Sequence, residues 1–164
     1  ATGHSHGSVM TQVLAMTMPE VFAAAAPCSG VLFQGFGMDI RVLPEIRNRK
    51  DCPIPIWMFG GEQEPWLLPA VPEIDNATGD SIRIWRGNNH LTPEIPENWE
   101  DGWQVNGRWH DLHYAREDGA PMVNYTWVDY MPHATMTEMS FRIWEEFFSK
   151  FSRVDGEIKY NPGV

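Results

Sequence analysis

The hydrophobic pattern of the chain begins with a helix. After Ser5, apolar side chains recur three or four positions apart, as they do on a helix with one buried face. Pro19 ends the pattern, because proline cannot continue helical hydrogen bonding. The positions that define the predicted buried face are Val9, Met10, Val13, Leu14 and Met18.

Two short apolar runs predict buried strands. Residues 22–26 precede a turn, and residues 54–59 end at Gly60-Gly61. Apolar runs of this length are typical of strands covered on both faces of a parallel sheet, although the alanines of the first run also suit a helix. Pro55 indicates the beginning of the second strand rather than its middle. Residues 31–52 are interpreted as an irregular excursion.

The second half of the chain alternates the same kinds of element. The predicted elements are a short helix near 79–88, an acidic, tryptophan-bearing loop at 92–107, and strands at 108–114 and 121–128 that form a hairpin across the turn at 117–119. Helices that alternate with buried strands predict an α/β layered domain, and the sequence has no internal repeat.

The final helix gives the clearest signal. Thr135 followed by Glu138 has the spacing of a capping box, which predicts that the helix begins at Thr135. Its wide apolar stripe should pack on the sheet. The stripe comprises Met136, Met139, Ile143, Trp144, Phe147, Phe148 and Phe151.

Composition narrows the possible partners. The chain has 164 residues, the size of one domain, and 43% of them are hydrophobic, which is enough for a core. Its net charge of −10 argues against binding to nucleic acid or to an anionic membrane surface, because both attract positively charged proteins. No apolar run in the sequence approaches the roughly 18 residues of a membrane span.

One motif suggests chemistry. Gly3-His4-Ser5-His6-Gly7 fits the pattern Gly-x-Ser-x-Gly, in which serine occupies a strained turn between a strand and a helix. The flanking positions are expected to be glycine for steric reasons. A helix is predicted directly after the motif, as this interpretation requires. Ser5 is therefore the candidate nucleophile, and the alternative is an ordinary glycine-rich turn.

The sequence also supplies candidates for a base and for the carboxylate that orients it, in the order serine, acid, histidine. Glu64 follows the strand at 54–59, at the sheet edge where open α/β sheets bind ligands, and Glu62 is the alternative acid. His133 follows the strand at 121–128 and is the candidate base. The histidines that fit less well are His4, His6, His90, His110 and His113.

These motifs resemble the α/β-hydrolase fold, and more narrowly its branch of polyhydroxybutyrate depolymerases and feruloyl or acetylxylan esterases. The likeness spans residues 1–33, 53–70 and 121–153. It implies a three-layer α/β fold with a mostly parallel sheet. Residue by residue, it implies the nucleophile Ser5, the general base His133, the triad acid Glu64 and an oxyanion-hole donor in the backbone N–H of His6.

The chain departs from this branch at several positions. His6 and Ser8 stand where an apolar residue and glycine are usual, Glu64 stands where aspartate is commoner, and Pro132 replaces a frequent glycine. These departures leave the reaction class unchanged and the substrate class open. Because glutamate is one methylene longer than aspartate, the loop at 60–65 should lie slightly further back.

In the family, several strands and the loop with the second oxyanion donor precede the serine. Only Ala1 and Thr2 precede Gly3 here, and two residues at about 3.3 Å each cannot cross a sheet. We therefore expect residues 1–164 to be the C-terminal catalytic part of one hydrolase domain, with its N-terminal part acting as a second chain. The first forty residues contain no Lys or Arg, so no basic signal-peptide region indicates export.

Neither a cofactor nor a metal is expected. His110 and His113 should point to opposite faces of a strand, which argues against a zinc site. Cys28 follows one predicted strand and Cys52 precedes the next, so the two lie at opposite edges of the sheet and should be free thiols.

The leading hypothesis is a serine esterase that forms an acyl-enzyme on small-molecule or polymeric esters. Trp66, two residues after Glu64, is expected to line a pocket for an acyl or aryl group, with core packing as the alternative. The competing hypotheses are a non-catalytic hydrolase-like fragment or binding remnant, and a serine peptidase of the same fold.

Overall fold

A computed structural model of the chain describes residues 1–31, 51–64, 76–92 and 102–164. Within these ranges the strands of the main sheet are β1 (Thr2–His4), β2 (Ala26–Cys28), β3 (Ile56–Gly61), β4 (Gln104–Asn106), β5 (Trp109–Ala115) and β6 (Pro121–Val128). A separate hairpin consists of β7 (Phe151–Val154) and β8 (Glu157–Tyr160). The α-helices of the described ranges are α1 (His6–Thr17), α2 (Ala77–Asn88) and α3 (Thr137–Arg142).

The six strands of the main sheet follow the order β1-β2-β3-β6-β5-β4. β1, β2, β3 and β6 run parallel to one another, and β5 and β4 are added in antiparallel orientation. The predicted α/β class with a mostly parallel sheet is therefore confirmed. Within the described ranges, no helix has the length and apolar character needed to cross a membrane.

The sheet is covered on both faces. Along β3, Ile56 and Met58 join a core with residues of α1 and α2, whereas Trp57 and Phe59 join a second core with residues of α3 and β7. All six residues of β3 are buried. The strand predicted at 54–59 is thus confirmed with a shift of two residues, and its unbroken apolar run reflects burial on both sides.

The predicted buried face of α1 is wrong. The helix itself is confirmed, but Met10 is 56% exposed and Met18, which follows the last turn, is 42% exposed. The residues of α1 that are buried instead are Ser8, Thr11, Gln12, Ala15 and Met16.

Hydrogen bonds explain why polar residues of α1 face inward. The Ser8 hydroxyl and the Gln12 amide both donate to the Gly30 carbonyl, at 3.0 and 3.1 Å. The Gln12 carbonyl accepts from the indole N–H of Trp85 at 3.1 Å. Because these buried polar groups have partners, their burial is tolerated, and hydrophobicity alone misassigns the face.

The strand predicted at 22–26 lies further along the chain. β2 includes Pro27 and Cys28, which the sequence assigns to a turn, and Ala25 forms only an isolated bridge to Ile56. Proline lacks an N–H, and the pairing of β2 with β3 is accordingly reduced to Cys28 opposite Phe59.

The predicted hairpin is confirmed, since β5 and β6 pair antiparallel over seven register positions. The helix predicted near 79–88 is confirmed as α2, with the Asn76 side chain accepting from Gly79 N–H at its N-terminus. The loop predicted at 92–107 is wrong at 104–106, which form β4. Residues 93–101 of that loop and most of the excursion at 31–52 lie outside the described residues.

The predicted C-terminal helix is shorter than its apolar stripe. α3 begins at Thr137 with no side-chain cap, so the predicted capping box of Thr135 and Glu138 does not form. A π-helical segment at Ile143–Phe147 and a short 3₁₀ turn follow, and Phe151 belongs to β7. Trp144 lies four residues after exposed Ser140 and is itself 63% exposed, so it does not belong to the buried face.

We predict that Gln12→Leu destabilises the chain by about 1–3 kcal/mol. The substitution leaves the buried indole N–H of Trp85 without its acceptor. Met10→Gln, which places an amide on the exposed face of the same helix, should change the free energy of unfolding by less than about 0.5 kcal/mol. Urea denaturation measures both. Equal effects of the two substitutions would contradict the assignment of the helix faces.

Candidate active site

Four parallel strands of the sheet end at one edge, and each leads into a polar residue there. Ser5 follows β1, Ser29 follows β2, Glu64 lies three residues beyond β3, and His133 lies five residues beyond β6. The register pairs the last residues of β1 and β2 with each other and the last residues of β3 and β6 with each other. Because Cys28 at the end of β2 lies opposite Phe59, β3 and β6 extend two residues further than β1 and β2. All four strands still end on the same side of the sheet, so these residues share one end of it.

Ser5 occupies the sharp turn between β1 and α1. Its φ of 58° and ψ of −118° lie outside the conformations that side chains ordinarily adopt, at a cost of about 1–3 kcal/mol. Its N–H donates to the Cys28 carbonyl at 3.0 Å, and its carbonyl accepts from Ser8 N–H at 2.9 Å. The Ser5 side chain does not cap α1, so its hydroxyl is not engaged at the helix N-terminus.

The two glycines of the motif have different surroundings. A Cβ on Gly3 would lie 2.4 Å from the Gly7 carbonyl oxygen, which no side chain tolerates. A Cβ on Gly7 would meet nothing within 4 Å. The steric expectation is therefore confirmed for Gly3 and wrong for Gly7, because close packing of β1 under the first turn of α1 crowds only the first glycine.

Glu64 and His133 are in direct contact. The Nδ1 atom of His133 lies 2.7 Å from Oε1 of Glu64, and the Glu64 side chain is fully buried. The other carboxylate oxygen of Glu64 accepts from Gly61 N–H at 3.1 Å. Because an ionised carboxylate only accepts hydrogen bonds, the proton of neutral His133 is on Nδ1, and Nε2 keeps the lone pair of a base.

Glu62, the alternative acid, binds elsewhere. Its Oε2 accepts from the backbone N–H of Tyr130 at 2.7 Å. Gln63 N–H donates to the Met131 carbonyl at 2.9 Å, and that carbonyl lies so close to Gly61 that a Cβ there would approach it to 2.3 Å. The turn after β3 and the loop after β6 are thus packed together, which positions Glu64 against His133.

The loop after β6 extends back across the sheet to β1. β6 and β1 are separated by β2 and β3, which corresponds to about 14 Å at ordinary strand spacing. The Ser29 hydroxyl donates to the Ala134 carbonyl at 3.4 Å, and the ring of His133 lies 4.6 Å from the ring of His4, centre to centre. The imidazole of His133 therefore lies beside the residue that precedes Ser5.

The remaining predicted site residues are placed as follows. His6 is the exposed first residue of α1, so its backbone N–H lies where the helix dipole favours negative charge. Trp66 lies outside the described residues. The histidines His110 and His113 contact Asp129 and Asn124, respectively.

The described ranges contain no cluster of three or more His, Cys, Asp and Glu residues suited to a metal. Cys28 and Cys52 are not joined by a disulfide. Burial raises the pKa of the Cys28 thiol to about 12, against a hydrogen bond from Thr2 that lowers it, and the nearby charge of Glu64 raises it further. Cys28 is therefore a neutral core residue and not a nucleophile.

The sequence does not identify Ser29 or His4 as members of this region. Ser29 shares with Ser5 a positive φ of 58° and is buried. In the sequence His4 is only the neighbour of the candidate nucleophile Ser5, but in the structure it packs on His133. Ser29-Gly30 follows an apolar run and therefore indicates a turn. No sequence signal shows that this turn and the turn at Ser5 both face the loop after β6.

Comparison with known proteins adds no family assignment, since neither a scan against protein-family models nor a search of curated proteins finds a match to this chain.

We predict that Gly3→Ala destabilises the chain by more than about 2 kcal/mol, because its Cβ would collide with backbone at Gly7. Gly7→Ala should be neutral or stabilising by up to about 1 kcal/mol, because alanine is favoured over glycine within a helix. Thermal unfolding followed by circular dichroism measures both. A Gly3→Ala chain as stable as the Gly7→Ala chain would contradict the close packing of the Ser5 turn.

Proposed function

We propose that the chain is a serine esterase that hydrolyses carboxylic esters through an acyl-enzyme, with Ser5, His133 and Glu64 as its triad. The observation that carries the proposal is the 2.7 Å contact between Nδ1 of His133 and the fully buried carboxylate of Glu64, beside a strained serine turn. The resemblance of the Ser5 motif and its surroundings to α/β-hydrolase esterases supports it.

The proposed reaction uses the tautomer that this contact sets. Nε2 of His133 takes the proton of the Ser5 hydroxyl as Oγ bonds to the ester carbonyl carbon. The resulting imidazolium is stabilised by Glu64 and returns the proton to the departing alkoxide, which leaves the acyl group on Ser5. A water molecule, deprotonated in turn by His133, then attacks the acyl carbon. The bond to Oγ of Ser5 breaks, the imidazolium returns the proton to Oγ, and the carboxylic acid is released.

The oxyanion that forms in each attack needs donors at the end of β1. We assign one to the backbone N–H of His6, at the N-terminus of α1. For the second we propose a partner, the N-terminal part of the same hydrolase as a second chain. Two features support this partner: β1 is the last strand on its side of the described sheet, and Met10 and Val21 are apolar side chains that are 56% and 58% exposed.

We predict that a fluorophosphonate probe labels the chain at Ser5 and that Ser5→Ala abolishes the labelling. The probe should be applied to the purified chain alone and together with the polypeptide encoded upstream, since loss of one oxyanion donor typically slows reaction about 10²–10³-fold. Absence of Ser5 labelling in both preparations would favour the non-catalytic alternative. Turnover of amides at a rate equal to that of matched esters would favour the peptidase.

A matched pair of substitutions tests the acid. Glu64→Gln should lower kcat for an activated ester by roughly 10³–10⁴-fold, because a neutral amide neither fixes the same tautomer nor stabilises the imidazolium. Glu62→Gln keeps an acceptor for Tyr130 N–H and should leave kcat within about threefold. Steady-state kinetics on chains with equal thermal stability provide the comparison. Equal losses, or a greater loss for Glu62→Gln, would contradict the assignment of Glu64.

A further inference from the structure

The side chain of His4 contacts the proposed base. Its ring lies 4.6 Å from the ring of His133, centre to centre, with the two planes inclined by 40°. Its Nε2 atom is buried and has no hydrogen-bond partner among the residues that the structure describes. A buried polar atom without a partner costs about 1–3 kcal/mol, so an apolar side chain of similar size would serve stability better at this position.

The surroundings of His4 favour its uncharged form. Burial lowers the pKa of His4, the positive charge that His133 can carry lowers it further, and the carboxylate of Glu64 acts in the opposite direction. Cys28, its register partner on β2, contributes no charge because its thiol is neutral. His4 therefore presents a neutral aromatic ring to His133.

A neutral ring next to an imidazole acts differently before and after proton transfer. Against neutral His133 it supplies only packing. Against the imidazolium it supplies an additional attraction between a cation and a π-system, which ranges from about 0.5 to 2 kcal/mol as the site becomes drier. An interaction that strengthens only when charge develops lowers the barrier without tightening substrate binding.

We propose that His4 is a positioning residue of the esterase reaction, whose neutral ring holds His133 at the end of β1 and stabilises the imidazolium formed when His133 takes the Ser5 proton. This inference rests on the proposed function. It assigns His4 no contact with substrate, because the observed contact is with the base.

Two apolar substitutions of similar size separate the ring from simple packing. His4→Phe keeps a neutral aromatic face, and His4→Leu fills the space without one. We expect His4→Phe to retain kcat within about twofold, and His4→Leu to lower kcat roughly 3- to 10-fold with KM unchanged. Both should be at least as stable as the parent chain in thermal unfolding, since each removes the unpaired Nε2. His90→Asn, at an exposed position of positive φ, is the control and should match the parent.

The kinetics of the His4 variants can overturn the inference in three ways. A His4→Leu chain with the parent kcat would overturn the inference, as would a loss in His4→Phe equal to that in His4→Leu, which would show that an imidazole nitrogen rather than the ring is required. A rise in KM at constant kcat would instead place His4 against substrate and also overturn it. If the parent chain hydrolyses no ester and Ser5 takes up no fluorophosphonate, the proposed function fails, and the inference fails with it.

Discussion

The parallel alignment of β1, β2, β3 and β6 is the constraint on which the site depends. Parallel strands bring their carboxyl ends to one edge of the sheet. Residues that are far apart in sequence therefore meet at that edge. The ends of β1 and β2 are in register, as are the ends of β3 and β6, and the second pair extends two residues further. The polar loop residues need only short connections to reach one another, and the loop after β6 covers the remaining distance to β1. A shift of one strand by a single residue would reverse which side chains face each core.

The site concentrates features that do not stabilise the fold. Ser5 and Ser29 both have positive φ, and Glu64 is a carboxylate with no exposed surface. The Nε2 atom of His4 is buried with no hydrogen-bond partner in the described part of the chain. Each costs free energy, and the cost is offset by the two hydrophobic cores on either face of the sheet. Such a cluster at one sheet edge is typical of functional sites, where strain and burial hold reactive groups in position.

Sequence patterns predict the elements better than their faces and ends. The strand β3 and the hairpin of β5 and β6 are identified because an apolar run and turn residues are local signals. The inward face of α1 is not identified, because burial of Gln12 depends on an acceptor at Gly30 and a donor at Trp85 that are distant in sequence.

For the site, the motif and the order of residues select Ser5 and His133. The choice between Glu64 and Glu62 depends on which carboxylate the packed turn after β3 directs at the imidazole of His133. The contact of His4 with His133 has no sequence signal, because β1 and the loop after β6 are brought together only by the assembled sheet.

A crystal structure of the chain after reaction with a small phosphonate ester would show whether Ser5 and His133 act together, because the adduct marks the nucleophile and mimics the tetrahedral intermediate. We expect phosphorus bonded to Oγ of Ser5, with Nε2 of His133 within hydrogen-bonding distance of the adduct and Nδ1 still bound to Glu64. A phosphonyl group on any other residue, or an imidazole of His133 beyond hydrogen-bonding distance of both Oγ and the adduct, would contradict the proposed triad.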